Sequence, residues 1–141
     1  MITEHLALSI WTGRVNEMKD VRNLKVWQAA HLMTLSVYRM TRNFPRDELF
    51  GSTSQMRRCS VSIGANIAKG AGKRGNTEFQ RFLQIAAGSA SELDYHLLLV
   101  HDLKLLCDTE YQNGVNDLVR LRKMLSSLIQ KIEHERLLAR C

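Results

Sequence analysis

Apolar positions recur along this chain in four segments with the alternating three-and-four spacing of a helix face, separated by short polar or glycine-rich breaks. The first segment spans about residues 21–42, with Leu24, Trp27, Ala30/His31, Thr34/Leu35, Val37/Tyr38 and Thr41 in phase. Asn43, Phe44 and Pro45 stop it, because the residue before a proline is pushed out of the α region. The next residues, 46–51, read as a short turn that carries Leu49 and Phe50 as an apolar plug. A second helix is expected from Ser52 or Thr53 to about Ala71, opened by a Ser52/Gln55 capping box and broken by Gly70, Gly72 and Gly75. A third is expected over residues 78–106, opened by a Thr77/Gln80 capping box, with a stripe through Phe79, Leu83, Ala86, Ala90, Leu93, Leu97 and Val100. The fourth begins after Cys107, with Asp108 or Thr109 as N-cap, and carries the seam Leu118, Leu121, Leu125, Leu128 and Ile132. It is expected to fade after Glu135, leaving 137–141 as a tail.

Four helices joined by short connections imply an all-α, antiparallel up-down four-helix bundle. Its domain is read as residues 18–136. Residues 1–17 hold Trp11 and Gly13 without sustained periodicity and are expected to be a poorly ordered extension, with Met18 a plausible start.

The second helix has three faces at ~100° per residue. Met56, Ser60, Ile63 and Ile67 form a core stripe, and Arg58, Lys69 and Lys73 lie roughly opposite. Val61, Ala65, Ala68 and Gly72 make a small-residue face, expected to meet the small centre of helix three, residues 86–91. Gly88 costs up to ~1 kcal/mol relative to Ala in mid-helix, so a packing reason is expected for it. Ser62, Asn66, Ser89 and Glu92 are expected to pin helices two and three through buried hydrogen bonds.

Composition narrows the picture. With 45% hydrophobic and 24% charged residues among 141, the chain reads as one soluble domain, and a single Pro with eight Gly argues against a many-stranded fold. No apolar run approaches the ~20 residues of a membrane span. Cys59, Cys107 and Cys141 form no CxxC pair and read as reduced thiols in a cytoplasmic protein, Cys59 and Cys107 on or beside buried faces.

The net charge is +6, and +5 of it falls between Arg57 and Arg81. That stretch holds Arg57, Arg58, Lys69, Lys73, Arg74 and Arg81 against Glu78 alone, a patch able to neutralise phosphates, with Asn76 able to add a hydrogen bond. Aromatic side chains interleaved for base stacking are not evident in the sequence.

Catalytic chemistry is not indicated. Glu92 and His96 are the one approach to the paired carboxylate–histidine motifs of a di-iron bundle, and they occur once. No Arg stands five to seven residues before His31, His96, His101 or His134, as HEPN-type ribonucleases require. The glycine-rich turn lacks the P-loop order. The chain is therefore expected to be no enzyme and to carry no cofactor or metal.

Several stretches together resemble one family: residues 24–31, Phe44-Pro45, residues 55–58, 62–70, 78–83 and 87–93. They are similar to the bacterial four-helix-bundle proteins called S23 ribosomal or 23S rRNA intervening-sequence proteins. The resemblance implies an up-down bundle, a homopentameric ring and no catalytic activity. Related bundles are accessory proteins of diversity-generating retroelements, bound to a reverse transcriptase and thought to engage RNA or DNA. Two readings follow: an oligomer that binds nucleic acid through the basic patch, or a protein-interaction scaffold in which the charge only solvates. The family pattern has Pro where this chain has Gly64, and Glu where it has Lys69. The second difference reverses a charge inside the patch; the first is expected to loosen helix two.

Overall fold

The computed structural model describes residues 20–140, so the extension expected over 1–17 and the last residue, Cys141, lie outside the described residues. A single 3-10 turn, Val21–Asn23, leads into α1, Lys25–Thr41. A second 3-10 turn, Arg46–Glu48, and a π-helical turn, Leu49–Thr53, precede α2, Ser54–Ala71. The two long helices α3, Asn76–Asp102, and α4, Asp108–Ala139, complete the fold.

Cross-helix pairs fix the directions. On α1 and α2, Thr34 Oγ1 donates to the Ser60 carbonyl at 3.0 Å, and Arg57 Nε donates to Thr41 Oγ1 at 3.0 Å. Later residues of α1 thus meet earlier residues of α2. Ser62 meets Ser89, while Gly70 lies against Phe79, so α2 and α3 are also antiparallel. Asn76 Nδ2 donates to Glu135 Oε2 at one end of α3 and α4, and His101 Nε2 pairs with Asp108 Oδ1 at the other. Met40 of α1 lies beside Gly114 near the start of α4. The architecture is an all-α four-helix bundle in which α4 packs back on α1.

The core is built from the stripes that the spacing predicts on three helices. Ile63 and Ile67 of α2, Leu83, Leu93 and Leu97 of α3, and Leu118, Leu121, Leu125 and Ile132 of α4 are among its largest fully buried side chains. Burying each of these contributes roughly 1.5–3 kcal/mol relative to exposure. On α1 the buried set is Val26, Ala30, Met33, Val37 and Thr41, while Leu35 and Tyr38 face solvent. His31 is also exposed and stacks on Trp27, ring centres 5.1 Å apart.

Helix ends differ from the expected ones for local reasons. Neither capping box forms: Thr53 and Gly75 stand at the N-caps of α2 and α3 without a side-chain cap bond. Cys107 occupies the N-cap of α4, so Asp108 and Thr109 are already helical, and Asp108 turns to His101 instead. Helix α3 stops at Asp102 rather than Leu106. Lys104 adopts the left-handed conformation at φ 62°, its N–H bonds the His101 carbonyl at 3.0 Å, and the Leu105 N–H bonds the Val100 carbonyl at 2.9 Å. This is a Schellman ending, with lysine at the position usually held by glycine. It turns Leu106 inward, where it is buried in the loop. At the far end, α4 runs through Ala139 and takes in residues expected to form a tail.

Candidate nucleic-acid interface

The expected roles of the α2 faces are partly exchanged. The stripe Met56, Ser60, Ile63 and Ile67 is fully buried. The small-residue face is not the helix contact. Val61, Ala65 and Gly72 are exposed, and Val61 and Ala65 line an open groove along the outside of α2. The close approach to α3 comes instead through Gly70, where an added Cβ would lie 2.8 Å from Phe79 Cδ1 and 2.9 Å from Phe82 Cβ. The flatness of a residue without Cβ is what admits the two phenylalanines. Gly88, expected to have a packing reason, has nothing within 4 Å of where a Cβ would stand. Gly64 faces Trp27 of α1, where an added Cβ would stand 3.7 Å from Trp27 Nε1 in ordinary contact, and sits within an unbroken helix.

The polar motif divides in the same way. Ser62 Oγ and Ser89 Oγ are 2.9 Å apart, and Asn66 Nδ2 donates to the Ser62 carbonyl at 2.8 Å and to Ser62 Oγ at 3.0 Å. These three residues link α2 to α3. Glu92 is outside that network: it is half exposed and faces His96 at 3.6 Å, one turn along α3. Cys59 lies buried nearby, and burial together with the charge of Glu92 pushes its thiol up to about 12. It is a packing residue and not a nucleophile at neutral pH. Cys107, expected at a buried face, is exposed.

The groove holds about 720 Å³ and runs along α2 from the π-helical turn to Lys69. From Ser54 to Lys69 the α-helical rise gives a track of ~22 Å. Arg57, Arg58 and Lys69 line it, and no Asp or Glu does. Arg57 is held in place from two sides. Its guanidinium sits 4.5 Å from the centre of the Tyr38 ring, and its Nε is bonded to Thr41. The remaining N–H groups of that planar fork suit an oxyanion.

The other expected cations fall at the end of the helix. Lys69 is the last residue that lines the groove, and Lys73 and Arg74 follow in the turn after α2. Both are exposed and neither forms an ion pair among the described residues, although Lys73 Nζ lies 5.9 Å from the centre of the Phe82 ring. Arg81 is different: it pairs with Glu78 at 3.0 Å and lies on the Phe82 ring at 4.5 Å. The hydrogen bond from Arg81 holds the Glu78 carboxyl below its ordinary range. Arg81 therefore belongs to a local pair rather than to the open patch. Asn76 is likewise committed, to Glu135. Gln80, expected in a capping box, reaches across to Glu133 and Arg136 of α4.

Sequence reasoning missed the aromatic part of this surface. Phe50, expected as a plug, is 90% exposed at the edge of the groove, and Leu49 and Tyr38 line the groove beside it. The cause is the irregular chain between Pro45 and α2. Gly51 takes φ −104°, ψ −114° inside the π-helical turn, breaking the helical path and leaving Phe50 on the outer side. The glycine after the phenylalanine is the sequence signal that marks this kink.

No group of three or more His, Cys, Asp or Glu able to hold a metal ion occurs among the described residues, and no described helix is long and apolar enough to cross a membrane.

A family model described as 23S rRNA-intervening sequence protein matches residues 22–127. Among solved structures, the chain is similar to a Bacteroides thetaiotaomicron VPI-5482 protein of unknown function from the S23 ribosomal protein family. The two share 24% identity with a TM-score of 0.70 over 75% of this chain and 96% of that one. At that identity the likeness speaks for the fold. No curated protein matches the sequence.

Proposed function

The chain belongs to the 23S rRNA-intervening sequence protein family, and from that premise we propose that it is a cytoplasmic, non-enzymatic, oligomeric bundle that binds nucleic acid through the basic face of α2 and the α2–α3 turn. The observation that carries this reading is the run Arg57, Arg58, Lys69, Lys73 and Arg74. Arg57, Arg58 and Lys69 line one groove, Lys73 and Arg74 are exposed in the turn after α2, and none of the five has an ion-pair partner among the described residues. Unpaired cations keep their full field for a polyanion, whereas surface ion pairs such as Arg81–Glu78 neutralise it locally.

Binding of this kind is governed by counterion release. With five phosphate contacts, the logarithm of affinity should fall against the logarithm of salt with a slope of about −3.5 for single strands and about −4.5 for duplexes. Fluorescence anisotropy with labelled RNA and DNA between about 50 and 200 mM salt measures it; between those limits affinity should drop roughly 100-fold or more. A slope near zero would remove the charged patch from consideration.

A homo-oligomer fits the apolar surface. Leu32 and Leu35 of α1, Ile85, Tyr95 and Leu98 of α3, and Leu137 and Leu138 of α4 are each at least two-fifths exposed. Apolar area left on several helices at once is what contacts between copies would cover. Light scattering is expected to give roughly five times the 16.2 kDa chain mass, a pentamer. A monomer at micromolar concentration would contradict this. In a ring each copy repeats the patch, so weak phosphate contacts add.

A further inference from the structure

We propose that the groove beside α2 is a track for single-stranded nucleic acid, in which the Phe50 ring stacks on a base while Arg57, Arg58 and Lys69 take the flanking phosphates. This rests on the polyanion reading above and adds to it the type of strand.

Three observations carry it. First, a phenylalanine 90% exposed is a large apolar face that no other described residue covers. A free aromatic face at the rim of a basic groove is a stacking platform, and every base offers a π-face to it. Second, the lining pairs that ring with cations and excludes carboxylates. A polyanion that also carries aromatic rings complements both halves of the surface. Duplex nucleic acid offers the phosphates but keeps its base faces stacked inside, so it leaves Phe50 unused. The ring proposed above closes through heterologous contacts, and the oligomer readout below separates such a contact from a nucleic-acid track. Third, the groove is preorganised on its basic side. Tyr38 and Thr41 fix Arg57 before any ligand arrives, so little side-chain freedom is lost on binding. Tyr38 thereby acts as a positioning residue, one ring face occupied by the arginine, and Phe50 is the ring left open.

The test compares Phe50→Ala with the wild-type protein on fluorescein-labelled oligo(dT), oligo(rU) and a blunt DNA hairpin at fixed salt. The ring is outside the core, so the variant folds, and unchanged circular dichroism verifies this. Affinity for both single strands should fall roughly 10-fold. The salt slope should stay the same, since no charge is removed, and hairpin affinity should not change. Phe50→Trp should restore single-strand binding. Three results would overturn the proposal: no loss on the single strands, an equal loss on the hairpin, or dissociation of the oligomer in light scattering, which would make the groove a contact between copies. Wild-type protein that binds neither strand type would remove the polyanion reading itself. A preserved salt slope with an unaffected Phe50→Ala would remove only the stacking.

Discussion

Gly70→Ala is expected to destabilise the bundle by up to ~2 kcal/mol, although alanine is the better helix former by ~1 kcal/mol. The sign follows from what the new methyl would meet. Phe79 Cδ1 would lie 2.8 Å away, Phe82 Cβ 2.9 Å and the Phe79 carbonyl oxygen 3.2 Å. Two of these three atoms are backbone or fixed to it, so no single rotamer change clears the site. The helices must separate locally, and overpacking of that kind costs about 1–3 kcal/mol. Over most of that range it exceeds the propensity gain. Gly88→Ala is the control with the opposite sign: its methyl meets nothing within 4 Å, so only the gain of up to ~1 kcal/mol remains. Urea unfolding of the two variants at one protein concentration reads both, concentration being fixed because association shifts apparent stability. Gly70→Ala matching or exceeding the wild type would mean that the α2–α3 approach is looser than these distances require.

The contrast between the two glycines explains what was legible in the sequence. Periodicity located the buried stripes of α2, α3 and α4, because a helix that hides one arc leaves a regular apolar spacing whatever it packs against. It did not assign the small residues. Ala65, Gly70 and Gly88 look alike on a helical wheel, yet Ala65 lines an open groove, Gly70 makes the tight approach to α3 and Gly88 faces open space. Small side chains carry almost no transfer free energy, so their burial is decided by the neighbour rather than by themselves. On α1 the spacing was ambiguous for a related reason. Leu32, Leu35 and Tyr38 extend its apolar arc beyond the buried one, and surface that is apolar and exposed cannot be told from core by pattern alone.

The candidate interface was half legible. A count of charges along the chain locates Arg57, Arg58, Lys69, Lys73 and Arg74 without any structure. Counting could not separate Arg81, which the structure pairs with Glu78, because that depends on an i,i+3 geometry on the surface of α3. Nor could it find Phe50 and Tyr38, which come from the chain before α2 and from α1. They join the patch only when α1 and α2 run antiparallel and the kink at Gly51 leaves the phenyl ring outside.

Changing Lys69, Lys73 and Arg74 together to Glu is expected to weaken nucleic-acid binding by at least about 100-fold at ~0.1 M salt. Each phosphate contact contributes ~0.7–0.9 to the slope of log affinity against log salt, so at ~0.1 M three lost contacts remove roughly two decades or more, before repulsion from the new carboxylates. The slope itself should shrink by ~2–3. The fold should survive, since the three side chains are exposed and form no ion pair among the described residues. A carboxylate in place of Lys69, near the C-terminus of α2, loses roughly 0.3–1 kcal/mol of favourable dipole interaction and adds an unfavourable one of similar size, a cost that a buried four-helix core can carry. Lys69→Glu alone is the more informative member of the set. It reverses the charge at a position that lines the groove, one turn from Lys73. If that one change removes a contact and about one unit of slope, Lys69 is itself one of the phosphate contacts. Unchanged affinity in the triple variant would sink the patch altogether, and unchanged affinity in Lys69→Glu alone would confine it to Arg57, Arg58 and the α2–α3 turn.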